Sequence, residues 1–311
     1  MCKITAILIL ILSLTHITLV NAGDEIVFKK FDSSIRGYRI YVMDRDGKNA
    51  KQIVKEPNIR YESPRWSPDG KQIIFTKTTA IDGELWIMDS DGGKPELLHK
   101  PAQWEVSWSP DGRKIAFENM EKIYIMDLKT RKIDLLVNGT CPVWSPDGKA
   151  IAYGMPFGSQ DYKIHLIDPE SKREWSIDAK NKNLQILYAS YWSPIAWSPD
   201  GKHIAFMAIT GGKNWWGIYI MNSDGTNVIE KYTGDGGNLI ANWPAWSPDG
   251  RQIIFHTIRG IERMDIDGEK RELIYENGDE PDWKRPSAIA VERQDRIAIT
   301  WGWIKQDKGI F

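Results

Sequence analysis

The chain has 311 residues, a formal net charge of −1 and two cysteines. So balanced a charge gives no long-range field to attract a polyanion, and nucleic acid is excluded as the expected partner. Cys2 lies in the leader described next, so Cys141 stands alone, no internal disulfide is expected, and stability has to come from apolar packing.

Residues 1–22 read as a secretory signal peptide. Met1-Cys2-Lys3 gives a short positive start, Ile4 to Val20 is an almost unbroken apolar stretch, and Val20-Asn21-Ala22 offers small residues at a cleavage site before Gly23. Cleavage leaves residues 23–311 as one domain and, because Lys3 is the only charged residue lost, moves the net charge from −1 to −2. The expected location is the periplasm or the outside of the cell, with no membrane span after the signal is removed. A retained membrane anchor is the alternative. A lipoprotein is disfavoured because Cys2 precedes the apolar run.

Residues 24–31 carry the apolar strand Ile26-Val27-Phe28. Beyond it, Trp-Ser-Pro-Asp-Gly recurs five times, at Trp66, Trp108, Trp144, Trp197 and Trp246, at intervals of 42, 36, 53 and 49 residues. A worn copy, Pro281-Asp282-Trp283, follows after another 37. A period of this length predicts stacked supersecondary units, most often propeller blades. Each full copy leads into a short apolar run (Ile73-Ile74-Phe75, Ile115-Ala116-Phe117, Ile151-Ala152-Tyr153, Ile204-Ala205-Phe206, Ile253-Ile254-Phe255) suited to a strand buried on both faces. Ser, Pro and Gly at their turn positions make Ser-Pro-Asp-Gly a type I hairpin turn with a left-handed Gly, joining strands A and B.

A second signature runs out of phase with the first: Tyr41-Val42-Met43-Asp44, Trp86-Ile87-Met88-Asp89, Tyr124-Ile125-Met126-Asp127, His165-Leu166-Ile167-Asp168, Tyr219-Ile220-Met221-Asn222 and Glu262-Arg263-Met264-Asp265. Four of the six continue into Asp-Gly (Asp46-Gly47, Asp91-Gly92, Asp224-Gly225, Asp267-Gly268), which predicts strand C, a second tight turn and strand D. The fold class expected is all-β: a six-bladed β-propeller of four-stranded antiparallel blades, with the ring closed when Pro281–Trp283 supplies strand A to the blade begun by the N-terminus. Each signature Trp is expected between neighbouring blades. Residues 287–311 predict one more hairpin, Ala288–Val291 and Ile297–Trp301, whose placement the pattern leaves open.

Trp-Ser-Pro-Asp-Gly-Lys-x-Ile-Ala-Phe followed by Ile-Tyr-x-Met-Asp-x-Asp-Gly resembles the TolB-type propeller repeat, the Pro-Asp relative of WD-type repeats, over about residues 24–284. The resemblance implies a non-enzymatic scaffold of the periplasm or exterior that binds another envelope protein. TolB carries an α/β domain ahead of its propeller. In this sequence the propeller follows the signal peptide directly.

Strand alternation puts the tight A–B and C–D turns on one face of the disc and the variable B–C and D–A loops on the other. The longest variable loops (Gly154–Lys163, Ala179–Pro194, Ile209–Gly217, Thr233–Pro244) fall in the third to fifth signature blades and are rich in aromatics. Phe157, Tyr188, Tyr191, Trp192, Trp215, Trp216 and Trp243 are the candidate binding residues, because Trp and Tyr bury much area at low entropic cost. Their competing role is to fold their own loops onto the disc. Glu62, Glu105, Asp279 and Glu280, placed just before strand A, form a candidate Ca²⁺ or Mg²⁺ site at the channel mouth, against the alternative of ordinary solvated loop charges. No other cofactor is expected.

No Gly-x-Ser-x-Gly or His-Glu-x-x-His motif occurs, and the Asp-x-Asp-Gly turns place Gly too early for an EF-hand. Cys141 is read as a small buried residue and His165 as a packing variant of the strand C aromatic. The expected function is an exported, monomeric, non-catalytic scaffold that binds another envelope or extracellular protein. The alternatives are an enzyme acting on a polysaccharide or lactone at the channel mouth, and a glycan-binding module.

Overall fold

The computed structural model describes residues 25–54, 56, 59–78, 83–155, 163–178, 184–186, 195–210, 216–233 and 241–285. Among these the regular elements are all strands, arranged as six antiparallel sheets around an axis. Blade 1 begins with β1 (Glu25–Asp32), β2 (Gly37–Asp44) and β3 (Lys51–Gln52). Blade 2 is β4 (Arg60–Trp66), β5 (Gln72–Thr78), β6 (Gly83–Asp89) and β7 (Glu96–His99). Blade 3 is β8 (Gln103–Trp108), β9 (Lys114–Asn119), β10 (Lys122–Asp127) and β11 (Ile133–Asn138). Blade 4 is β12 (Thr140–Trp144), β13 (Ile151–Gly154), β14 (Ile164–Ile167) and β15 (Glu174–Ile177). In blade 5 two short pieces, β16 (Leu184–Ile186) and β17 (Ala196–Trp197), share the strand A role against β18 (His203–Thr210), followed by β19 (Trp216–Asn222) and β20 (Ile229–Thr233). Blade 6 is β21 (Asn242–Trp246), β22 (Gln252–Thr257), β23 (Gly260–Asp265) and β24 (Arg271–Glu276).

The last strand, β25 (Gly278–Trp283), completes blade 1 by pairing with β1, Ile26 opposite Trp283 and Val27 opposite Asp282. This is the closure the worn signature predicts. It covers the edge of β1 that would otherwise be left unpaired.

The hairpin chemistry is as the motif requires. Gly70, Gly112, Gly148, Gly201 and Gly250 all have φ between 67° and 72°. In each copy the Asp carboxylate accepts from the Ser hydroxyl and from the amide two residues on, as Asp69 does from Ser67 (2.7 Å) and Lys71 (3.1 Å). The Asp-Gly turns between strands C and D need glycine for a different reason. They dock against the neighbouring blade, so a Cβ on Gly92 would collide with the carbonyl oxygen of Ile53, and one on Gly225 with that of Asp178.

All six signature tryptophans are buried, most of them in clusters shared by adjacent blades. Trp66 packs with Val27 and Ile40 of blade 1, and Trp246 with Ala205, Ile218 and Ile220 of blade 5. Aromatic pairs from strands B and C stack within blades: Phe28–Tyr41 at 5.7 Å, Phe117–Tyr124 at 5.7 Å and Phe206–Tyr219 at 5.9 Å. Tyr153–His165, at 5.5 Å, is the same pair with imidazole in the aromatic place. Cys141 is buried. No helix among the described residues is long and apolar enough to cross a membrane. The signal segment and the 287–311 hairpin lie outside the described residues.

Candidate functional site

Strand A is the innermost strand of each blade, and in every blade whose pairing is continuous its register slips just before the signature Trp. The slips fall between Glu62 and Arg65, Gln103 and Val106, Thr140 and Val143, and Asn242 and Ala245, with the matching irregularity between β1 and β25. At this bulge four non-glycine residues adopt positive φ: Ser63 (49°), Cys141 (52°), Trp243 (56°) and Glu280 (48°). All four sit three residues before a signature Trp, and each is followed by proline (Pro64, Pro142, Pro244, Pro281). Proline is tolerated there because an inner edge strand needs no amide hydrogen bond on its open side. Bulges turn side chains out of the pleat. Repeated around the ring, this one lays successive polar layers along the axis.

Glu62, Glu105, Asp279 and Glu280 therefore lie inside strands, not ahead of them as the sequence suggests. Three of them converge on the ammonium of Lys29, which is 2.5 Å from Glu62, 2.7 Å from Glu280 and 3.6 Å from Asp279. The other oxygen of Glu280 accepts from the amide of Ser63 at 2.7 Å. The place a divalent cation would occupy between these carboxylates is held by Lys29. No cluster of three or more His, Cys, Asp or Glu suited to a metal occurs among the described residues.

Burial alone would lower the Lys29 pKa, but Glu280, Asp279 and Glu62 outweigh it and raise it. Burial pushes Glu62 up to about 7, helped by the charge of Glu280 and opposed by Lys29. Beside the cluster, His256 Nδ1 lies 2.7 Å from the Asn242 side-chain oxygen and 3.5 Å from Asp279, and burial lowers its pKa.

Glu105 turns elsewhere. It accepts from Ser63 Oγ at 3.2 Å and from Arg65 at 3.3 Å, and burial pushes it up to about 8. The Arg65 guanidinium, on blade 2, also lies 5.5 Å from the centre of the Trp243 ring on blade 6. Arg65 thus reaches past blade 1 and bridges three blades across the axis. Towards the tight-turn face this bridge borders a cavity of about 140 Å³, lined by Arg65, Asp282, Trp243 and the signature tryptophans. Glu118, on β9 of blade 3, accepts from the Cys141 amide at 3.0 Å; its other oxygen is buried without a partner, and burial lifts its pKa to about 7. The Cys141 thiol is likewise raised well above its ordinary value by burial.

Of the aromatic candidates, Trp243 is 6% exposed and belongs to the channel wall, not to a loop surface. Trp216 opens β19. Phe157, Tyr188, Tyr191, Trp192 and Trp215 lie outside the described residues. Lys29, Arg65, Glu118 and His256 were not singled out from sequence. A signal existed for three of them: the residue after each strand B aromatic is Lys29, Thr76, Glu118, Gly154, Met207 or His256, polar in four of the six blades.

Residues 25–153 match the family described as TolB beta propeller domain. The Tol-Pal system protein TolB of Francisella tularensis is 24% identical over 62% of this chain and 46% of its own length. The chain thus spans just under half the length of the curated relatives it matches. The crystal structure of TolB from Acinetobacter baumannii superposes with a TM-score of 0.71 at 24% identity, covering 85% of this chain and 67% of that one. An oligogalacturonate lyase from Vibrio parahaemolyticus superposes at 0.53 and 11% identity, covering 81% and 74%, a likeness of fold alone. Repeat, blade count and ring geometry agree: the chain is a six-bladed β-propeller whose residues 25–153 are similar to the TolB propeller domain.

Proposed function

We propose that this protein is an exported, non-catalytic scaffold that binds another protein of the cell envelope. The observation that carries this reading is that most of the axial polar groups are engaged with one another. Lys29 is held by three carboxylates, Arg65 by Glu105 and Trp243, and His256 by Asn242. A general base or nucleophile has to be within reach of a substrate proton or carbon, and groups already committed to one another are poorly placed for that role. The TolB-type repeat, and the relatives' description as Tol-Pal system proteins, support the same reading.

Affinity capture from an envelope extract, with the partner identified by mass spectrometry and its binding reproduced with purified components, tests the proposal. Cell fractionation tests the location. Turnover of oligogalacturonate or a lactone by the purified protein, with no reproducible protein partner, would overturn it.

A further inference from the structure

A groove of about 460 Å³ opens between blades 4 and 5 on the tight-turn face. Its walls are Trp175 and Ile177 of β15, Trp197 of β17, Ala150, and the two turns carrying Asp147 and Asp200, with Ser223 at one end. The volume falls in the range of small-molecule sites, about 300–1,000 Å³.

Comparison around the ring shows why it opens here. The residue just before the strand B apolar run is Glu25, Gln72, Lys114, Ala150, His203 or Gln252 in blades 1 to 6. The residue after the strand C Asp or Asn is Arg45, Ser90, Leu128, Pro169, Ser223 or Ile266. At the seam of blades 6 and 1 the first position of one meets the second position of the next, Gln252 against Arg45, and Ala150 and Ser223 hold the same two positions between blades 4 and 5. At other seams large side chains fill the space: Arg45 bonds Gln252 at 2.9 Å and lies over Trp283, and His203 packs on Trp246 at 6.3 Å. Between blades 4 and 5 the pair is Ala150 and Ser223, two small residues, and Trp197 is left lining open space.

The rim breaks the repeat as well. Trp175 stands opposite Leu166, and the matching register positions in the other blades hold Lys51, Glu96, Asp134, Ile229 and Glu272. A solvent-facing position that is charged in four blades carries a 38% exposed tryptophan here. Arg173 lies over this ring at 5.7 Å. Asp147 and Asp200 each spend one oxygen inside their turn. Their second oxygens lie 3.8 Å from the exposed ammonium groups of Lys149 and Lys202. Each of these two carboxylates thus has a lysine of its own turn beside it, so the two turns present no net charge to the groove.

We propose that this groove binds an uncharged oligosaccharide, with a pyranose ring stacked on Trp175 and hydroxyls bonded to Asp147, Asp200 and Ser223. A sugar presents an apolar C–H face and a rim of paired donors and acceptors, which an exposed indole flanked by carboxylates and a hydroxyl complements. The site is separate from the axial charge cluster.

The test is calorimetric titration of the purified protein with cellohexaose, chitohexaose and maltohexaose, and with trigalacturonate as the charged comparison. At least one neutral hexasaccharide is expected to bind with Kd below about 1 mM, and trigalacturonate more weakly. Trp175→Ala and Ala150→Gln are each expected to weaken binding about tenfold or more. Gln is the residue blades 2 and 6 already carry at the Ala150 position, so this variant fills the groove with a side chain the fold accommodates and decides the matter should Trp175→Ala misfold. Failure of all three neutral sugars to bind, or wild-type affinity in Ala150→Gln, overturns the proposal. Stronger binding of trigalacturonate, or loss of envelope-protein capture in Ala150→Gln in place of sugar binding, also overturns it. Unchanged capture by Ala150→Gln leaves the scaffold reading standing independently.

Discussion

The Lys29 ammonium lies 2.7 Å from the Glu280 carboxylate, a pair 251 residues apart in the chain. Lys29 is on β1 and Glu280 on β25, so the contact joins the first and last strands described within blade 1. Through Glu62 and the Ser63 amide the same group grips blade 2. Backbone pairing closes the ring, and this buried charge cluster ties the closing blade to its neighbour.

Lys29→Met is therefore expected to destabilise the fold by about 3–5 kcal/mol, because it strands buried carboxylates without their cation. Urea unfolding measures this. Adding Glu280→Gln and Glu62→Gln to Lys29→Met should recover part of the loss. A triple variant no more stable than the single one would show that the charges are not the cause.

Glu118 gives a pH prediction with a definite sign. Its folded pKa is raised to about 7 from an ordinary 4.5, so the folded state holds the proton more tightly than the unfolded chain. Its contribution to stability is fully present below pH 4.5 and is lost as pH rises through 7. Glu118→Gln cannot ionise. The melting temperature of this variant relative to wild type should rise between pH 4.5 and about pH 7 and level off above it; a constant difference would count against a buried, proton-holding Glu118.

Trp283 is the signature tryptophan of the closing strand and is 3% exposed. Truncation to alanine removes a large buried side chain at the seam and is expected to cost about 3–5 kcal/mol. Calorimetry should show a lower melting temperature. An unchanged one would mean that the closing strand contributes little to the stability of the ring.

The Cys141 thiol is buried and its pKa is raised, so it is expected to be inert in the native protein. Iodoacetamide at pH 8 followed by peptide mapping should leave Cys141 unmodified until denaturant is added. Rapid native labelling would contradict the buried placement.

Local chemistry made the architecture legible. Ser67-Pro68-Asp69-Gly70 and its four repeats dictate a hairpin whatever surrounds them, because proline presets one dihedral and glycine admits the left-handed one. Strand B runs such as Ile73-Ile74-Phe75, short and flanked by turn residues, suit strands buried on both faces. The worn Pro281-Asp282-Trp283 was enough to place the closing strand. The axial site was legible only in part. Glu62, Glu105, Asp279 and Glu280 stand out by position, but their partners do not: Lys29 and Arg65 look like ordinary strand cations until the ring brings blades 1, 2, 3 and 6 to one axis.

By itself the sequence determined the repeat and the turns, because each depends on residues within a few positions of one another, and counting the copies fixed the number of blades and the strand left over for closure. The tertiary structure alone decided that the mouth carboxylates surround an ammonium, that Arg65 spans the axis to Trp243, and that Ala150 and Ser223 open a groove beside Trp175. These are contacts between blades. They depend on which side chains a closed ring sets face to face, and no local pattern encodes that distance.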